Sequence, residues 1–222
     1  MNGILKLIFL GMLLGCGPQY IKNENSEEDF VYSEGIDLKL NGENFHFLGV
    51  NICSLANDKE IFVWEGSASY GGNLDDYLGG FFSNLKVKGV NVIRFCAFQS
   101  YTKGGTDFSS LDRVVRYAGE SNIKLIPTLG NQWDFCPGDF YKDSRWYRGG
   151  YIEPQAEDVI SYKEHVRSVV ARYRDSATIL MWQLINEAES RTPQGQSDPE
   201  GLYDFAWEMS KFIRSLDNNH LI

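Results

Sequence analysis

Clustered positive charge is what this chain most plainly lacks. Its 222 residues carry 21 Lys and Arg against 30 Asp and Glu, a net charge of −9, and no run of basic residues occurs. Binding to a phosphate backbone requires such runs, so nucleic acid is excluded as a partner. An anionic polysaccharide is disfavoured on the same ground, whereas a neutral one is not. Histidine is scarce as well, with three residues (His46, His165 and His220) far apart in the chain. No Cys-x-x-Cys pair stands near them, so the ligand spacing of a zinc site is missing, and neither metal nor organic cofactor is expected. No Gly-x-Gly-x-x-Gly follows the first predicted strand, which removes support for a dinucleotide-binding fold. The apolar run at residues 7–14 is too short to span a bilayer.

What is present describes a folded, exported domain. Hydrophobic residues make up 43% and aromatic residues 14% of the chain, with five Trp. That is enough for a packed core, which takes most of the aromatics, and it leaves some free to stack on sugar rings. At the N-terminus, Lys6, the short apolar run and Leu13-Leu14-Gly15-Cys16 fit a secretory signal. This stretch resembles the lipobox of bacterial lipoproteins. The resemblance implies cleavage after residue 15, lipid on the Cys16 sulfur and a membrane anchor; an ordinary signal peptide, giving a secreted or periplasmic protein, is the alternative. Residues 16–35 read as a polar tether, most acidic at 23–29, and residues 36–222 as the globular part.

From there strands and helices alternate. Asn41-Gly42 predicts a hairpin turn within residues 38–47. Apolar runs at 47–52, 90–95, 123–129 and 178–185 predict four strands buried on both faces, as in a parallel sheet covered by helices. Helical spacing separates them: Leu74, Leu78, Phe81 or Phe82 and Leu85, opened by Asn73 and stopped by Gly89; Leu111, Val114, Val115 and Ala118, opened by Asp107 or Ser109; then Val159, Tyr162, Val166, Val169, Val170 and Tyr173. A last helix is announced by Asp198-Pro199-Glu200, a cap, a first-turn proline and a carboxylate facing the helix dipole. Four βα units in series suit a doubly wound sheet or a barrel. Long connections after the first and third strands favour the barrel, whose chemistry lies on that side. The residues after Asp217 read as entry into a fifth strand, so the chain is expected to hold about four βα units of a (β/α)₈ barrel. Cys53, Cys96 and Cys136 are an odd set; Cys53–Cys96 and Cys96–Cys136 pairings both fit the strand ends, as do free thiols.

The strongest chemical signal is Met181-Trp182-Gln183-Leu184-Ile185-Asn186-Glu187, a buried strand ending in an amide and a carboxylate. A Glu there is expected to stand half desolvated at the barrel mouth, a setting suited to a general acid. Leu184-Ile185-Asn186-Glu187 resembles the Asn-Glu signature that ends the fourth strand in clan A glycoside hydrolases. Phe47-Leu48-Gly49-Val50-Asn51, Gly89-Val90-Asn91-Val92-Ile93-Arg94, the stretch from Leu125 to Trp133 and Asp217-Asn218-Asn219-His220-Leu221-Ile222 resemble glycoside hydrolase family 5 in order, closest to its β-mannanase-like branch.

The resemblance implies a retaining hydrolase of β-1,4-linked polysaccharide, mannan favoured over cellulose. It implies Glu187 as acid/base, Asn186 as the residue bonding the sugar 2-OH, and Arg94 as the cation that orients the nucleophile. Asn131 and Trp133 would line sugar subsites, with Trp64 and Trp146 as weaker loop candidates. Ala188 stands where the common family form has Pro. The family's nucleophile is a Glu on the seventh strand, outside these residues, and neither Glu189 nor Asp134 is expected to replace it. The rival reading is a non-catalytic glycan-binding surface lipoprotein; a cellulase or other β-glucanase of the same family is the nearer alternative.

Overall fold

The computed structural model describes residues 30–57, 60–63, 66–69, 74–134, 140–154 and 160–222, with 60–63 and 66–69 as backbone only. The leader, Cys16, Trp64, Asn73, Cys136 and Val159 lie outside the described residues.

The first elements are β1 (Tyr32–Glu34), β2 (Asp37–Leu40) and β3 (Glu43–Asn44), an antiparallel sheet in that order. Asn41 and Gly42 both adopt left-handed backbone, with φ of 56° and 83°, the conformation a tight hairpin demands and Asn-Gly adopts at least cost. The tether is shorter than its polarity suggested: β1 falls inside 16–35, and Val31 is buried against Val92 and Leu180. An apolar side chain with a docking place outweighs the polar composition around it.

β4 (Gly49–Asn51) follows, then a β5 (Glu60–Val63) and β6 (Gly66–Ser69) hairpin in the first long connection. α1 (Leu74–Val87) leads through Gly89, at φ 82°, into β7 (Val92–Cys96); α2 (Ser109–Glu120) leads into β8 (Lys124–Thr128). The second long connection contains α3 (Ser144–Tyr147), and α4 (Tyr162–Tyr173) precedes the fourth strand. α5 (Pro199–Leu216) begins as its sequence announces: the Asp198 carboxylate accepts from the Gly201 N–H, and Pro199 occupies the first turn.

β4, β7 and β8 are parallel, in that order. The fourth strand, residues 178–186, continues the sheet but as isolated bridges, Leu125↔Ile179, Thr128↔Gln183 and Asn131↔Asn186. Pro127 explains the interruption, because it offers no N–H to the ladder and can only accept, from the Gln183 N–H at 3.1 Å. Between the first two bridges the fourth strand also holds one residue more than β8, a bulge at Leu180-Met181. Leu221 pairs in parallel with Met181 on the far side.

The sheet separates two apolar bodies. Outward-facing Ile93, Phe95, Leu125, Ile179 and Trp182 pack under the helices with Val114, Val166 and Met209. On the inner face Val92, Ile126, Leu180, Met181 and Leu221 meet Val31, Leu38, Leu40 and Phe45. The small N-terminal sheet thus covers the inner face near the N-terminal ends of the parallel strands. At the other ends, Cys53 and Cys96 form a disulfide, which selects one of the two pairings open in the sequence. With its partners 43 positions apart in the chain, it stabilises the fold by about 4 kcal/mol in the chain-entropy estimate.

His165 on α4 is buried, its Nε2 2.8 Å from the Ala97 carbonyl and its Nδ1 3.5 Å from Thr102 Oγ1. Desolvation lowers its pKa to about 4, against a smaller upward push from the Ala97 contact. A histidine depressed on folding leaves stability intact above its unfolded pKa near 6.5 and removes it as pH falls toward 4. Thermal melts between pH 7 and pH 4 are therefore expected to include a loss on the order of 3 kcal/mol from this residue. His165→Gln should flatten that segment of the profile; an unchanged slope in the variant would remove His165 as its source.

Candidate active site

Register assembles this site. Asn51 on β4 lies beside Arg94 on β7, Thr128 on β8 beside Gln183, and Asn131 beside Asn186. Parallel neighbours in register point the same way, so six polar side chains from four adjacent strands converge near the C-terminal ends. Arg94 is their hub. Its Nε donates to Gln183 Oε1 at 2.6 Å, Nη1 to Asn51 Oδ1 at 2.8 Å and Nη2 to Asn186 Oδ1 at 2.7 Å. Thr128 Oγ1 donates to the same Gln183 oxygen at 2.7 Å. Burial draws the guanidinium pKa below its ordinary value and the Glu187 carboxylate pushes it back up; the group stays charged.

From Arg94 the bonds continue outward. Asn186 Nδ2 donates to Asn131 Oδ1 at 3.1 Å, Asn131 Nδ2 donates to the Trp133 carbonyl at 3.1 Å, and Trp133 Nε1 donates to Glu187 Oε2 at 2.6 Å. Glu187 follows Asn186 in the chain, so the path closes on itself. Glu187 has φ 52°, a left-handed backbone that costs a non-glycine residue about 1–2 kcal/mol and turns the carboxylate off the strand toward Trp133. The side chain is exposed, which corrects the half-desolvated setting expected of it: the turn lifts it past the last strand bridge, Asn131↔Asn186. The Trp133 ring is half-buried and leans on Tyr141, with centroids 5.8 Å apart at 48°.

The other sequence candidates fall elsewhere. Trp146 is 5% exposed, with its ring 5.0–5.3 Å from those of Tyr147, Phe205 and Tyr162. Its assignment to sugar stacking is therefore corrected: it fastens the second long connection onto α5. Glu189 pairs with Arg191, whose hydrogen bond holds its carboxyl below the usual range. Asp134 is exposed in a bend. Nearby, Gln132 is fully buried, accepts from the Tyr147 hydroxyl and donates to the Lys142 carbonyl at 2.7 Å.

Sequence reasoning did not single out Gln183, Thr128, Asn51 or Tyr141 for the site. Gln183 carried a usable signal, as an amide deep inside the apolar run 178–185. Asn51 carried a weaker one, as a polar residue at a strand's C-terminal end.

A family model described as Cellulase (glycosyl hydrolase family 5) matches residues 40–222. A curated Solanum lycopersicum protein, mannan endo-1,4-beta-mannosidase 5, is 29% identical over 99% of this chain and 56% of its own length. The probable mannan endo-1,4-beta-mannosidase F of Neosartorya fischeri is 27% identical over 89% of this chain and 44% of its own. The chain thus spans about half the length of these relatives. Among solved structures, the endo-1,4-beta-mannanase of Rhizomucor miehei superposes with a TM-score of 0.61 at 24% identity, over 86% of this chain and 59% of that one. An endocellulase of Pyrococcus horikoshii in complex with cellotetraose gives 0.59 at 15%, over 88% and 56%. These likenesses give the fold, that of a (β/α)₈ barrel.

Trp146→Ala is expected to lower the unfolding free energy by roughly 3–5 kcal/mol, as deletion of a buried aromatic does. Urea melts measure it, and a loss below about 1 kcal/mol would place the indole in solvent instead.

Proposed function

The chain belongs to glycosyl hydrolase family 5, and on that footing we propose that it is the acid-bearing part of a retaining endo-β-1,4-mannanase. The observation that carries the proposal is the convergence of Arg94, Asn186 and Glu187 at the C-terminal ends of the second and fourth parallel strands, across β8. In a barrel those ends face the substrate. Mannan is preferred to cellulose because the curated relatives quoted above are named as mannan endo-1,4-beta-mannosidases.

The chemistry assigned to these residues is double displacement. A second carboxylate, supplied by barrel strands outside these residues, attacks the anomeric carbon. The glycosidic C–O bond breaks, its electron pair goes to the leaving oxygen, and that oxygen takes the proton of Glu187. A water then attacks the same carbon and gives its proton back to Glu187, while the ester bond breaks and its electron pair returns to the second carboxylate. Arg94 supplies fixed positive charge beneath the reacting carboxylates, and the Asn186 amide is placed to bond the sugar 2-OH. Trp133 and Tyr141 offer ring faces beside Glu187 on which a sugar can stack.

The test extends the reading frame through the remaining strands and assays the product on β-mannan and carboxymethylcellulose. Activity on mannan is expected, falling by roughly 10²–10⁴-fold in Glu187→Gln as a general acid is lost. Near-normal rates in that variant would reject the acid assignment. Saccharide binding without turnover in the extended wild type would favour the glycan-binding reading.

The lipobox-like Leu13-Leu14-Gly15-Cys16 supports a lipid anchor at Cys16, and the Cys53–Cys96 disulfide suits an oxidising, exported setting. Labelled palmitate is expected to enter the expressed protein and to be lost in Cys16→Ala. Label retained in that variant would overturn the anchor.

A further inference from the structure

We propose that Trp133 is a positioning residue that selects which oxygen of Glu187 carries the proton, beyond offering a face to sugar. The inference rests on the acid/base reading of Glu187 given above.

The indole Nε1 is a donor only and lies 2.6 Å from Glu187 Oε2. An oxygen that accepts this bond at that distance has no room for a proton directed at the same nitrogen. The unprotonated oxygen of a carboxyl is its better acceptor, so when the group is protonated this bond favours the hydrogen on Oε1 and keeps Oε2 as the carbonyl-like acceptor. General-acid catalysis needs one defined oxygen aimed at the glycosidic bond, within hydrogen-bond reach. A carboxyl on an exposed left-handed turn does not meet that need by packing alone, because solvent permits its rotation. The indole supplies the missing restraint.

The restraint is itself fixed from below. Asn131, 1% exposed, donates to the Trp133 carbonyl and accepts from Asn186, which accepts from Arg94. The donors from the half-buried guanidinium to the Trp133 carbonyl all point outward, so those bonds polarise one another in the same sense and fix the Trp133 backbone from which the indole reaches Glu187. Tyr141 braces the indole ring from the side. The position of the indole, and with it the orientation of the acid, is thus tied by hydrogen bonds and the Trp133 backbone to the same cation that sits under the reacting centre.

The experiment uses the extended enzyme with two substrates, β-mannan, whose leaving sugar must be protonated, and dinitrophenyl β-mannobioside, whose leaving group departs without help. Trp133→Phe keeps a ring for stacking and loses the N–H; replacement by 3-benzothienylalanine keeps the indole outline and also loses it. Both are expected to lower kcat on mannan by roughly 10–100-fold with KM within about twofold, and to lower glycosylation of the activated substrate by less than about threefold. The isosteric replacement guards against a folding defect in the Phe variant, and unfolding midpoints accompany both. A wild-type kcat on mannan in both variants, with only Trp133→Ala impaired through KM, would reduce Trp133 to a sugar platform and overturn the inference. Glu187→Gln run in parallel separates the two layers. If it is fully active, the acid assignment fails; if it is inactive while both Trp133 variants are normal, only the positioning role fails.

Discussion

A half-buried guanidinium must have its donors satisfied, and that requirement organises this molecule. Arg94 faces the inner side of a parallel sheet, where an unpaired cation would cost several kcal/mol. No neighbouring carboxylate neutralises it at contact distance among the described residues. Instead three amide oxygens, from Asn51, Gln183 and Asn186, accept its hydrogen bonds. Asn51 comes from the adjacent β4, and Gln183 and Asn186 from two levels of the fourth strand beyond β8, so strand register becomes a condition for solvating the charge. The disulfide two residues beyond both Asn51 and Arg94 holds the tips of β4 and β7 together beside that contact.

The solution leaves the cation uncommitted. Amide oxygens stabilise a guanidinium without consuming its charge, so its field reaches the carboxylate at 187 and whatever anion the rest of a barrel presents. A direct ion pair within the sheet would have spent that field locally. Other ion pairs lie among the helices and their connections, such as Arg172–Asp112 between α4 and α2 and Arg148–Asp198 between the end of α3 and the start of α5. They fasten these outer elements to one another rather than shape the inner face.

Much of this was legible in the chain. Period and punctuation gave the helices closely: Gly89 ends the first, and Asp198-Pro199-Glu200 starts the last. The apolar runs gave the strands, and the Asn-Glu pair gave the end of the fourth. What sequence could not resolve were properties that depend on neighbours. Trp146 and Trp133 are both tryptophans in or beside the same long connection, yet one is enclosed by Phe205 and Tyr162 on other elements and the other is half open. Composition cannot divide them, because the difference lies in what packs on them. Val31 misled for the same reason: a lone apolar residue in polar surroundings reads as solvated until the inner cluster that receives it is known. Glu187 was located correctly at the strand end, but its exposure follows from a left-handed turn that no local residue type announces.

The extra residue at Leu180-Met181 has a consequence for the fourth strand's phase. With both side chains turned to the inner cluster, every later position is shifted by one step of the pleat. Trp182 therefore lies beneath the helices, bonded to Asp217 at 2.6 Å, and Gln183 enters the polar interior. Remove that single residue and the alternation would invert, driving an indole against the guanidinium and carrying the amide out among the helices. The chemistry at the strand's end is thus set by an irregularity two to three residues before its central contact, and a family aligned without a gap there would keep the Asn-Glu pair while losing the geometry that makes it useful.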